Sequence, residues 1–157
     1  MTTIASKFHD VLPVAYGDCA NDLIVNNYFI DVTTAQLILN NVFDIGVIPA
    51  GHTIIDAVLI PDDLDSGTAI ALDVGVMSGT PGDIVATRTI GAEIFAASTA
   101  AQTGAIARPT LPSAFKILAT QADRSVGVKV QAAPTTAVAG RIRLQLVMSP
   151  ADHTLQF

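Results

Sequence analysis

From residue 23 onward, apolar and polar positions alternate in short runs, each closed by Gly, Pro, Asn or Asp, and this rhythm predicts strands rather than helices. The clearest run spans 68–77, where Ile70, Leu72, Val74 and Val76 fall on one side and Ala69, Ala71, Asp73 and Gly75 on the other. Successive side chains of a strand point to opposite faces. One side therefore reads as core and the other as a small, polar outer face. The runs 125–131 and 141–148 obey the same rule, with Val126, Val128 and Val130 inward in the first and Ile142, Leu144, Leu146 and Met148 inward in the second. Arg141, Arg143, Gln145 and Val147 face the other way. Pro134 and Gly140 lie between these two runs and predict a hairpin joining them. Further strands are expected over 23–32, 35–42, 53–60, 84–90 and 114–119.

About eight short strands at fairly even spacing favour a sandwich or barrel. Only 92–105 has helix-forming composition, and Thr99, Thr103 and Gly104 weaken it to a short helix or a loop. A parallel α/β sheet needs crossover helices between its strands, and the chain has nowhere to put them. The expected fold is all-β, a jelly-roll-like antiparallel β-sandwich forming one domain over residues 23–150. Residues 1–22 mix apolar and turn-forming types without a period and read as an extended N-terminal arm, while 151–157 read as a C-terminal tail. At 157 residues the chain is long enough to bury roughly 70% of its unfolded surface without metal or disulfide staples.

Charge narrows the partners. A formal net charge of −6 and a pI near 4.6 exclude a general binder of phosphate backbones, so nucleic acid is not an expected partner. The charge is also uneven: Lys7 is the only basic residue before Arg88, so the first 87 residues carry −10 and the remainder +4. Folding either turns that asymmetry into two opposed faces that steer a partner, or interleaves the halves and mixes the charges. Uninterrupted apolar runs do not exceed four residues, against about 20 for a membrane-spanning helix, so no membrane partner is expected. His9, Asp10 and Pro13 stand where a secretion signal would place its apolar segment, and synthesis in the cytoplasm is expected. The single cysteine, Cys19, permits no internal disulfide and reads as an ordinary thiol.

Candidate chemistry is sparse. Asp62, Asp63 and Asp65 form the best candidate for a cation site, but they lack the alternating ligands, central Gly and terminal Glu of a calcium loop and read as a solvated turn. His9, His52 and His153 are far apart, and His52 reads as a surface histidine beside a turn. Glu93 is the sole glutamate. There is no phosphate-cradling glycine loop and no nucleophile elbow, and residues 79–83 form a turn without the lysine a phosphate cradle needs. No catalytic residue, cofactor or metal ligand is predicted, and the chain does not read as an enzyme. Packing against other protein surfaces is the remaining role. The interface candidates are Phe8, Val11, Leu12 and Tyr16 in the arm, Arg141 and Arg143 on one strand face with Lys129 alongside, and Phe157 in the tail. Charged residues make up only 14% of the chain and tryptophan is absent, a composition suited to a surface covered by neighbours.

Three stretches carry a resemblance: FDIGVIPAGHTIIDAVLIPDDLDSGTAIALDVGVMSGTPGD from residue 43, RTIGAEIFAASTAAQTG from residue 88, and ADRSVGVKVQAAPTTAVAGRIRLQLVMSP from residue 122. They resemble small capsid decoration (cement) proteins of tailed bacteriophages over roughly residues 23–150. The pieces that recur are the strand after PAGH, the LDVGxMSGTPGD strand and turn, and ADRSxGVKV, none of them a catalytic signature. The resemblance implies a jelly-roll-like β-sandwich on the outer face of the virion capsid that ties neighbouring capsomers together, often as a dimer or trimer. Its partners would then be the major capsid protein and copies of itself. Two other readings stand beside it: a tail-associated or receptor-binding virion module, and a carbohydrate-active domain using the 62–65 loop.

Overall fold

The computed structural model describes residues 3–5 and 23–150. Eight strands are found among them: β1 (Thr3–Ala5), β2 (Ile24–Val32), β3 (Val42–Ile48), β4 (His52–Pro61), β5 (Ala71–Val76), β6 (Phe95–Ser98), β7 (Arg124–Ala132) and β8 (Gly140–Pro150). They form two sheets packed face to face, one in the order β1-β3-β7-β5-β6 and the other β2-β8-β4. All pairings are antiparallel except β1, which lies parallel to β3. The fold is an all-β sandwich of jelly-roll type, with no closed barrel.

The alternation read from the sequence sets the core. Ile142, Leu144, Leu146 and Met148 of β8 and Val126, Val128 and Val130 of β7 are all fully buried, together with Ile70, Leu72 and Val74. Removing each such side chain from water stabilises the fold by roughly 1.5–3 kcal/mol. Tyr28 of β2 crosses the core to β3: its ring occupies the space left by the absent side chain of Gly46, where a Cβ would sit 2.4 Å from the ring. Its hydroxyl donates to the Val47 carbonyl at 2.7 Å and accepts from Asn26 Nδ2 at 2.9 Å. A buried tyrosine needs such a partner, and here the partner belongs to the opposite sheet.

Every residue of β3 is buried, so period-two alternation is absent there. The cause is a third layer. Residues 77–93 fold back over the outside of the five-stranded sheet, where Met77 fills the space above Gly127, and Glu93 with the Gly91 backbone fills that above Gly75. Beneath this layer lies a buried ion pair. Arg88 donates from Nη1 to Asp44 Oδ2 at 2.6 Å, with the two side chains 3% and 0% exposed. The same carboxylate oxygen accepts from Ser125 Oγ at 2.8 Å and from the Gly82 amide at 3.2 Å, while Arg88 also donates to the Ser78 and Asp83 carbonyls.

Several expected elements differ. The 125–131 and 141–148 runs are strands but not a hairpin: β7 pairs with β3 and β5 in one sheet, β8 with β2 and β4 in the other. The 133–139 connection crosses between sheets around the 62–70 loop, held by Ser66 N to Thr136 O and Val138 N to Leu64 O. Residues 35–42 are not a strand. Thr34–Gln36 forms a 3-10 turn closed by the Thr33 amide donating to Gln36 Oε1, and Asn40 then takes φ 66°, a left-handed conformation that asparagine tolerates. Residues 84–90 belong to the covering layer, and 114–119 begin inside another 3-10 turn, Pro112–Lys116, and run on without regular structure. Within 92–105, read as a helix or loop, β6 and a short 3-10 turn form instead.

Candidate interaction surface

β8 is the middle strand of the three-stranded sheet, so its outward side chains occupy the centre of that sheet's outer face. Arg141 and Arg143 are brought together there as expected. Lys129 is not with them, because β7 lies in the other sheet. Antiparallel register sets Asp31 of β2 opposite Arg141, and the pair is bidentate, Nε to Oδ1 at 2.6 Å and Nη2 to Oδ2 at 3.0 Å. This hydrogen bond raises the Arg141 pKa above its ordinary value. The guanidinium also lies 4.4 Å from the centroid of the Phe29 ring. Arg143 donates from Nη1 to Asp62 Oδ1 at 2.8 Å, and the Arg141 amide donates to Asp62 Oδ2 at 2.9 Å. The Arg143 hydrogen bond holds the Asp62 carboxyl below its ordinary value. Beyond them Gln145 donates to Asn27 at 2.8 Å. Phe29, Ile60, Asn27 and Arg143 line a dimple of ≈ 100 Å³ on this face.

All four side-chain ion pairs found among the described residues, Asp31–Arg141, Asp62–Arg143, Asp56–Arg108 and Asp44–Arg88, join the acidic first 87 residues to the basic remainder. Interleaving has therefore mixed the charges of the two halves.

The 62–65 loop is the solvated turn expected from its composition at Asp62 and Asp63 but not at Asp65. Asp65 is fully buried, and its two oxygens accept five backbone amides, those of Gly67, Ala69, Ile70, Thr135 and Thr136. Burial alone would raise its carboxyl, but these amides outweigh burial and hold it well below the usual carboxylate range. Its lone pairs tie the loop to the 133–139 connection, which leaves Asp65 itself no capacity for a cation. Among the described residues no group of three or more His, Cys, Asp or Glu side chains is placed to hold a metal ion. His52 is buried rather than exposed, its Nδ1 2.9 Å from the Ala50 carbonyl oxygen. It starts β4, whereas Asp62 follows the end of that strand, so the two do not meet.

Large apolar side chains stand in solvent at both ends of the sandwich. The 33–41 loop exposes Ile38 and Leu39 at one end. At the other end, Leu118 stands on the segment whose Thr120 carbonyl accepts from the Gly51 amide, while Ile84 and Val85 stand on the layer that covers the outside of the five-stranded sheet. Ile84 is 71% and Leu118 77% exposed. The asparagine-bounded run at 38–39 and the turn-bounded pair at 84–85 are visible in the sequence, but their apolar character led them to be assigned to strands. Phe8, Val11, Leu12, Tyr16 and Phe157, with Cys19, His9 and His153, lie outside the described residues.

No family model and no curated protein matches the chain. Two solved structures do. A chain in the cyanophage Pam1 capsid asymmetric unit superposes with a TM-score of 0.66 at 22% identity, over 91% of this chain and 95% of that one, and shares the fold. A chain in the capsid of Ralstonia phage GP4 superposes with a TM-score of 0.89 at 38% identity, over 95% of this chain and 98% of that one. Likeness of that degree over nearly the whole of both chains makes this protein a member of the same family of structural phage capsid proteins.

Proposed function

We propose that this capsid protein is a decoration, or cement, protein that sits on the outer surface of the shell and bridges neighbouring capsomers. The observation that carries the reading is the set of exposed apolar side chains at separate places on the sandwich, Ile38 and Leu39 at one end, Leu118 at the other, and Ile84 and Val85 on the covering layer. A protein with adhesive positions at opposite ends can touch two neighbours at once. Contacts in the arm through Phe8, Val11, Leu12 and Tyr16, in the tail through Phe157, and around Arg141 and Arg143 would add to the same grip. Self-association into a dimer or trimer would multiply it.

The mechanism is additive burial. Each contact removes apolar area from water at about 25 cal/mol per Å², offset by the loss of freedom on binding. Many weak sites on a closed shell act together, because parting two capsomers breaks every contact that spans them. The test is to add purified protein to shells assembled without it. It should co-sediment at a fixed, symmetric ratio to the major capsid protein and raise the temperature at which shells rupture. Recovery of the protein only from lysate, and never with purified particles, overturns the reading.

A further inference from the structure

Residues 78–89 leave the outside of the five-stranded sheet and return to it as a closed loop. Its neck is the bridge between Met77 and Ile90, tightened by the Ser78 amide donating to the Thr89 carbonyl at 2.9 Å and the Thr89 amide donating to Ser78 Oγ at 2.8 Å. A compact surface loop with adjacent ends, packed by one of its own side chains, is a form that proteins often use for function. Here the packing side chain is that of Arg88. Residues 83–87 are all exposed, yet Arg88 folds back beneath them and is buried.

The guanidinium ties the loop to itself and to the sheet. Nε donates to the Ser78 carbonyl at 2.7 Å, where the loop begins, and Nη1 donates to the Asp83 carbonyl at 2.7 Å, at the foot of its tip. Nη1 also donates to Asp44 Oδ2 on β3, and that oxygen accepts the Gly82 amide. Gly79, at φ 80°, passes so near that a Cβ there would lie 3.4 Å from both Cγ and Nε of Arg88. The Arg88 amide donates in turn to the Val85 carbonyl at 3.2 Å. Anchored carbonyls at Asp83 and Val85 thus hold the tip, whose side chains Ile84 and Val85 are 71% and 53% exposed.

Stability alone does not call for this arrangement. Two apolar side chains of similar volume would hold the layer on the sheet about as well as a buried ion pair does. They could not direct the main chain, because a guanidinium presents several donors in a fixed plane and a hydrocarbon presents none.

We propose that Asp44 and Arg88 are positioning residues for the contact with the shell, fixing the 78–89 loop before binding so that Ile84 and Val85 arrive already ordered; this role rests on the decoration reading above. Fixing even one backbone residue at the moment of binding weakens affinity by roughly tenfold. A loop set in advance avoids that loss.

The experiment is a double-mutant cycle of binding to shells assembled without the protein. Its members are a pair variant, Asp44→Val with Arg88→Met, a tip variant, Ile84→Ser with Val85→Ser, and the combination of all four substitutions. The pair variant should unfold cooperatively with a melting temperature near that of the wild type and bind shells about tenfold more weakly. The tip variant should also bind more weakly, and the combined variant no more weakly than the tip variant, because a tip stripped of its apolar side chains gains nothing from being held. Amides of residues 79–87 should exchange hydrogen faster in the free pair variant than in the wild type, with those of β8 unchanged. Should the pair variant fail to fold, Arg88→Lys takes its place, since lysine keeps the charge opposite Asp44 but lacks the planar fork that reaches both carbonyls. Wild-type affinity in the folded pair variant, wild-type affinity in the tip variant, losses that add in the combined variant, or unchanged exchange at 79–87 overturns the positioning role and leaves the decoration reading standing. Failure of the wild type to bind shells overturns both.

Discussion

Arg88 reaches Asp44 across 44 positions of sequence and joins the covering layer to the five-stranded sheet through an ion pair hidden from solvent. Removing the Arg88 guanidinium takes a charged donor from a carboxylate that stays buried, and breaking a buried pair in this way costs about 3–5 kcal/mol. Arg88→Ala should therefore destabilise the protein by that order in urea unfolding. Replacing both residues together with apolar side chains of similar volume should recover most of the loss.

Asp65 predicts an acid transition. Its carboxyl is held below the ordinary value of 3.8 by backbone amides, so the folded state binds a proton less readily than the unfolded chain. The stabilisation is fully present above 3.8 and is lost as the pH falls from there through the lower folded value. Urea midpoints should thus fall on acidification below pH 3.8, and Asp65→Asn should be less stable at neutral pH with a flatter acid limb.

Chelator should leave the melting temperature unchanged. The five amides on Asp65 and the Arg143 and Arg141 bonds on Asp62 engage two of the three carboxylates in this loop, which leaves exposed Asp63 too few companions for the six or more oxygens that calcium takes.

Two glycines should respond differently to a single added methyl. Gly46→Ala meets the Tyr28 ring at 2.4 Å, and the ring is held by its own hydrogen bonds, so a loss of about 1–3 kcal/mol is expected in urea unfolding. Gly127→Ala first meets Met77 Sδ, also at 2.4 Å, and an unbranched thioether can swing aside. Its loss should be the smaller of the two.

Ile84→Ser separates adhesion from folding. The side chain is 71% exposed, so stability should change by less than about 0.5 kcal/mol. Shell binding should nevertheless weaken in the sedimentation assay.

The strands legible in the sequence were those with one wet face: β8 alternates cleanly because its outer side chains meet solvent. β3 hid its nature because both its faces are covered, and nothing local to residues 42–48 signals a layer supplied by residues 77–93. The runs at 35–42 and 84–90 misled for the opposite reason, since Ile38, Leu39, Ile84 and Val85 are apolar without being interior. Arg88 and Asp65 were invisible as buried groups, since their partners lie 44 and up to 71 positions away. Arg141 and Arg143 were placed on one face by parity alone, but their carboxylate partners required knowing that β8 lies between β2 and β4.

The middle strand of each sheet comes late in the chain. β2 and β4 wait for β8, and β3 and β5 wait for β7. During synthesis the ribosome therefore releases β2 and β4 with no ladder to join, and β3 and β5 with only the short β1 and β6 beside them, and the domain closes only as residues 124–150 emerge. A message cut short before that point would yield a strongly acidic chain whose two sheets both lack their middle strand, fit for proteolysis.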